Sequence, residues 1–214
     1  MNFHFFRGRF TMRVFSSFLL MLLFYQLLNA SQEKAVPATE VVFKEGEILP
    51  GPFYPFVVNG PRKDRLRALI NEKPDKTFIL MFFQGATVPE YLGKSLEELN
   101  ANIKGSKSKG FPTSAMAIFV NPDIKNVVKD DEKRNEFVKA IRSSIAEDKS
   151  DFIEVGVDDL EDLKNYKLGQ ATTVLMLRCE NLKVIKMLNL DATNANADGF
   201  SKALDQLLEL PKGK

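Results

Sequence analysis

Six consecutive apolar residues, Phe78-Ile79-Leu80-Met81-Phe82-Phe83, leave no polar face for water. A run this short and this continuous is the pattern of a strand buried on both faces of a sheet, not of a half-exposed one. Met116 to Val120 repeats the pattern and is closed by Asn121-Pro122. Between the two runs, Leu92, Leu96, Leu99 and Ile103 recur at helical spacing after Pro89, and Gly105 supplies a stop. A second helix is expected from about Asp131 to Glu147, with Phe137, Ala140, Ile141 and Ile145 on its apolar side and acids at its positive N-terminal end. Buried strands alternating with amphipathic helices require an α/β fold with a mostly parallel central sheet covered on both faces.

The rest of the chain fits around that centre. Residues 31–60 are rich in proline and glycine and read as an extended lead-in, with Val41-Val42-Phe43 and Phe56-Val57-Val58 as short strand candidates that could add an edge. Pro61 is expected to open a helix through Lys73, carrying Leu66, Leu69 and Ile70 on one face. Phe152 to Val157 reads as a strand, and Asp158 with Glu161 stand at capping-box separation ahead of a short helix through Tyr166. Thr172 to Leu177 and Val184 to Leu188 predict an antiparallel hairpin turning near Cys179 to Asn181. A last helix carries Phe200, Leu204, Leu207 and Leu208 and ends before Pro211. The expected order is helix, strand, helix, strand, helix, strand, helix, strand, strand, helix, over a domain at 61–210 with a tail at 211–214.

The first thirty residues differ in kind. Arg7, Arg9 and Arg13 precede an apolar stretch from Val14 to Leu28 with no acid among them. This is the layout of a secretory signal, too short for an ordinary bilayer span of about 20 residues. Cleavage is expected after Ala30, with secretion or retention in the endoplasmic reticulum lumen; an uncleaved membrane anchor and an Arg-rich mitochondrial presequence are the alternatives. Cleavage there would also destroy the Asn29-Ala30-Ser31 sequon.

Loss of the leader removes three arginines and takes the net charge from +2 to slightly negative. No region then has the positive excess that nucleic-acid binding needs, and Lys104, Lys107 and Lys109 lack aromatic residues for base stacking. His4 is the sole histidine and Cys179 the sole cysteine. A mature domain so composed has no Ser-His-Asp triad, no Cys-His pair, no histidine metal site and no Cys-x-x-Cys pair. The acids Asp158, Asp159, Glu161 and Asp162 do not have the spacing of an EF-hand loop and read as helix-capping residues, so no metal or cofactor is expected.

The element order resembles the thioredoxin-like fold, and the local sequence is similar to its tryparedoxin and nucleoredoxin branch. In that branch a buried strand runs into Trp-Cys-Pro-Pro-Cys at the head of a long helix. Here Gln84-Gly85-Ala86-Thr87 and then Val88-Pro89-Glu90-Tyr91 follow the strand. Thr87 takes the tryptophan position, Val88 and Tyr91 take the two cysteine positions, and Pro89 matches the first intervening proline. The branch also has a cis-proline followed by threonine opposite its cysteines; Ala171 and Thr172 stand there. A cis bond before alanine costs about 2.5 to 4 kcal/mol, so a trans bond is expected. The resemblance covers about 62–210 and implies the three-layer thioredoxin-like fold with a C-terminal β-hairpin and helix. A different three-layer α/β domain with the same element order is also compatible.

Function is expected to follow from what this frame lacks. The leading expectation is a redox-inactive thioredoxin-like protein of the secretory pathway that binds a protein or peptide through the degenerate position formed by Val88, Pro89, Glu90, Tyr91, Ala171 and Thr172. A plainer account has Pro89 in a helix first turn, Glu90 complementing the dipole and Tyr91 packing. The alternative is an enzyme using Cys179 alone, of one-cysteine peroxidase or glutathione-dependent type, or a membrane-anchored structural protein. Cys179 could also be an exposed thiol that links two chains by a disulfide.

Overall fold

The computed structural model describes residues 44–72, 76–106, 110–146, 151–169 and 172–209. All of them belong to one unit, Thr39–Lys214. The expected signal at 1–30, the Val41-Val42-Phe43 strand and the tail at 211–214 lie outside the described residues. Among the described residues no helix is long and apolar enough to cross a membrane.

Six strands form one sheet: β1 (Phe56–Val57), β2 (Thr77–Gln84), β3 (Ser114–Val120), β4 (Ile153–Asp158), β5 (Thr172–Glu180) and β6 (Lys183–Asp191), in the order β1-β4-β3-β2-β5-β6. The two doubly apolar runs are its central neighbours, β2 and β3, paired in parallel from Phe78 opposite Ser114 to Gln84 opposite Val120. β4 continues the parallel set beside β3. β1, β5 and β6 are antiparallel to their neighbours, so the parallel core is three strands wide and the sheet as a whole is mixed.

Three helices, α1 (Leu92–Gly105), α2 (Asp131–Ser144) and α3 (Ala197–Leu208), place their apolar residues in one cluster. Leu92, Leu96 and Leu99 of α1, Phe137 and Ile141 of α2, and Phe200 and Leu207 of α3 all share that cluster with Ile79, Met81, Ala117, Phe119 and Val155 of the sheet. The cause is topological. β2, β3 and β4 follow one another in the same direction, and two right-handed crossovers in one direction put both helices on the same face. Close approach at the head of α1 requires Gly93, since a Cβ there would meet the Ser144 carbonyl oxygen at 2.0 Å.

The opposite face is covered by irregular chain. Leu49 and Phe53 of the lead-in, Leu69 and Ile70 of a 3-10 turn (Leu69–Glu72), and Leu163 and Tyr166 pack on Phe78, Leu80, Phe82, Ile118 and Leu177. Tyr166 holds this layer together: its ring meets Phe53 and Phe82 at 5.2 Å each, and its hydroxyl donates to the Gly51 carbonyl at 2.7 Å. The third layer thus exists, built mostly without long helices.

Local expectations that differ have visible reasons. The helix expected from Pro61 to Lys73 is absent within the described residues. Gly60–Arg62 makes one 3-10 turn, Asp64 takes φ +66°, and the chain returns extended beside β1, with Asp64 N–H donating to Val57 O and Val57 N–H to Arg65 O, both 2.9 Å. Pairing of Leu66 with Phe56 outcompetes the 3.6-residue periodicity. The lead-in does contribute the edge strand β1. The hairpin β5–β6 is longer than its apolar runs and turns at Asn181-Leu182, both at positive φ (51° and 62°), which is the type I′ geometry that matches strand twist.

Candidate functional site

β2 ends at Gln84, and the chain from there to α1 forms the rim that corresponds to the expected degenerate position. Ala86, Thr87 and Glu90 are exposed, while Val88 and Tyr91 pack against the helical-face core. Leu92 N–H donates to Pro89 O at 3.1 Å, so Pro89 stands in a turn before α1. It does not occupy the helix's first turn as the plainer account had it, because Tyr91 is the residue preceding the first helical residue, Leu92. The Tyr91 ring lies 5.6 Å from Phe200 of α3, and its buried hydroxyl has no hydrogen-bond partner. Burial raises the phenol above its ordinary range, so it stays protonated at neutral pH. Packing of Tyr91 thus agrees with the plainer account.

The second part of the expected site lies across from this rim. Thr172 begins β5 and is buried, whereas Ala171 lies outside the described residues, as does the peptide bond before it. The loop is anchored by a residue the sequence reading passed over. Gln84 Nε2 donates to Gly169 O at 3.1 Å and to Thr172 O at 2.9 Å, which ties the end of β2 to both ends of the loop. Thr172 N–H donates to Gly169 O at 3.1 Å and closes it. The available signal was a polar residue terminating a six-residue apolar run.

Cys179 is nowhere near this rim. It pairs with Phe78 at the amino end of β2, while Val88 and Tyr91 follow the carboxyl end, a separation along the strand of ~20 Å at about 3.3 Å per residue. The thiol expected near the turn as an exposed group is wholly buried, inside β5, and desolvation pushes it up to about 12. A thiolate nucleophile is strongly disfavoured there, and the folded domain presents no sulfur surface for a bond to a second chain. Arg178, the residue before it on β5, points to the other face. Its guanidinium donates to Leu207 O at 2.8 Å, Glu209 O at 2.6 Å and Gly110 O at 2.8 Å, capping the C-terminus of α3.

The acidic group after β4 is a capping device, with its centre one residue later than expected. Asp159, not Asp158, organises the turn: Oδ1 accepts from the N–H groups of Glu161 and Asp162 at 2.9 Å each, and Oδ2 accepts from Val127 N–H at 2.8 Å. No α-helix follows; a 3-10 turn occupies Lys164–Tyr166. Asp162 accepts from Tyr54 N–H at 2.6 Å, and Glu161 pairs with Lys164 at 2.7 Å. Asp158 is fully buried, its Oδ1 accepts from Asp159 N–H, and no donor reaches its Oδ2, which faces the Asp162 carboxyl. Desolvation first, and the neighbouring Asp162 charge second, push its carboxyl up to about 8. Among the described residues no group of three or more His, Cys, Asp or Glu side chains is arranged to hold a metal ion.

Comparison with known proteins adds the following. No family model matches the chain, and no curated protein matches it. Solved structures do align. An uncharacterised conserved protein from Geobacillus kaustophilus aligns with a TM-score of 0.47 and 19% identity over 84% of this chain and 92% of its own. Reduced Prx3 from Vibrio vulnificus gives 0.46 and 14% over 76% and 99%, and a thiol peroxidase from Chromobacterium violaceum gives 0.45 and 13% over 83% and 92%. At these scores no activity is carried over to this chain.

Proposed function

We propose that this chain is a redox-inactive α/β protein of thioredoxin-like design that works by binding another protein or peptide in the secretory pathway. One observation carries the reading: its only thiol is sealed at the far end of the sheet from the rim, where Val88 and Tyr91 stand in place of a dithiol. Thiol–disulfide exchange needs an accessible thiolate and a resolving partner, and neither exists on this chain. The rim retains shape: exposed Thr87 and Glu90, the half-buried Tyr91 ring, and a loop pinned by Gln84. The placement in the secretory pathway rests on the arginine-led apolar segment at the N-terminus.

Two measurements test the reading. Insulin disulfide reduction by the purified protein should not exceed a protein-free control, and clear turnover would reject redox inactivity. Capture of a partner from the secretory lumen should weaken with Tyr91→Ala, and unchanged capture would remove the rim as the binding surface.

A further inference from the structure

Exposed apolar side chains are ordinary when scattered, but here they gather. Of the five large hydrophobic residues exposed among the described residues, Tyr54, Leu66 and Val128 line one concavity of about 450 Å³, and Leu160 falls between two more lining residues, Asp159 and Glu161. The fifth, Ile48, bridges to Lys183 at the opposite edge of the sheet. The concavity is framed by the lead-in at Pro52 and Tyr54, the loop after β3 at Asn126 to Val128, and the turn after β4 at Asp159 to Asn165. It therefore lies beyond the carboxyl ends of the parallel strands, where open α/β sheets take their ligands.

Its electrostatics favour one sign of partner. The lining holds three carboxylates, Asp159, Glu161 and Asp162, against one ammonium, Lys164, which is already paired with Glu161. Behind the lining sits Asp158, with no exposed surface and a carboxyl oxygen that lacks a donor. The negative charge of Asp162 and Asp159, both of which line the concavity, keeps the proton on Asp158, which hydrogen-bonds to Asp162. With Asp158 holding its proton, Asp162 presents its negative charge to the concavity, where a cation can meet it.

We propose that this concavity binds an extended peptide segment of a partner protein, which lays an apolar side chain against Tyr54, Leu66 and Val128 and an arginine or lysine against Asp162. The site rests on the protein-binding reading above but uses a surface separate from the Tyr91 rim, so each can fail without the other. The apolar contacts supply affinity through removal of exposed side chains from water, and the carboxylates select a basic sequence over an acidic one.

The test titrates the full-length protein with two short fluorescein-labelled peptides, one alternating leucine with arginine and one alternating leucine with glutamate, read by fluorescence anisotropy. The arginine peptide should bind and the glutamate peptide should not. Asp162→Asn should weaken binding at least about tenfold, equivalent to 1.4 kcal/mol. Because Asp162 also accepts from Tyr54 N–H, the paired exposed substitution Val128→Ser with Leu160→Ser is measured beside it and should weaken binding by a similar factor. Glu98→Gln, an exposed acid on α1, should leave the affinity unchanged. Equal binding of both peptides, no binding of the arginine peptide, or full affinity in the Val128→Ser, Leu160→Ser protein would each overturn the proposal. Loss of binding in Tyr91→Ala but not in the concavity variants would overturn it as well, and move the site to the rim. Concentration-dependent dimerisation abolished by Val128→Ser with Leu160→Ser would overturn it in favour of a second copy of this chain.

Discussion

Replacing Asp158 by asparagine should stabilise the protein, and should do so only as the pH rises. Asp158 holds its proton up to about 8 in the folded state, against 3.8 for an ordinary aspartate carboxyl. Between those values the folded chain binds a proton that the unfolded chain has released, so stability falls as pH increases through that window and levels off above it. At 1.36 kcal/mol per pKa unit the full shift corresponds to a ceiling of roughly 5 to 6 kcal/mol. Relaxation around the carboxylate, and its sharing of a proton with Asp162, reduce what folding feels to about 2 to 4 kcal/mol. Asparagine keeps an oxygen for the Asp159 N–H and places an amide donor toward Asp162, where the carboxyl must now supply its own proton. Urea unfolding of both proteins near pH 4 and near pH 8 gives the answer. The advantage of Asp158→Asn should be close to zero at the lower pH and about 2 to 4 kcal/mol at the higher. An advantage that is the same at both pH values would refute the buried, protonated carboxyl.

Two further predictions concern the neighbouring residues of β5. Cys179, with its thiol pushed up to about 12, should react with iodoacetamide at pH near 8 on the order of 10³-fold more slowly in the native protein than in denaturant, and comparable rates would contradict its burial. Arg178→Met should cost about 2 to 4 kcal/mol in urea unfolding, because three carbonyls at Leu207, Glu209 and Gly110 lose a charged donor; a loss below about 0.5 kcal/mol would show that water replaces the guanidinium.

Much of the architecture was legible because it depends on long-period patterns. Unbroken apolar runs specified β2 and β3, and heptad-like leucine spacing specified α1; neither can be satisfied in another way. What escaped was decided by tertiary pairing. Leu66, Leu69 and Ile70 have helical spacing, yet Leu66 pairs with β1 while Leu69 and Ile70 enter the irregular layer. Asp158 and Asp159 are adjacent and chemically identical, so composition could not tell which would cap the turn and which would be buried. The alternation of β4 put Asp158 inside and left Asp159 to meet the N–H of Val127, thirty-two positions away. Of the candidate site, the positions of Val88 and Tyr91 at the head of α1 were readable, whereas the role of Gln84 required knowing that β5 would lie beside β2.

That adjacency holds the rim together without a dithiol at Val88 and Tyr91. In a dithiol protein the chemistry itself fixes the geometry of the two facing loops. Here the same two segments are held by an amide bridge from Gln84 and by aromatic contact between Tyr91 and Phe200, both independent of redox state. A surface so held does not depend on the surrounding redox poise. The burial of Cys179 works in the same direction, since the chain's lone thiol cannot couple the rim to the surrounding redox poise.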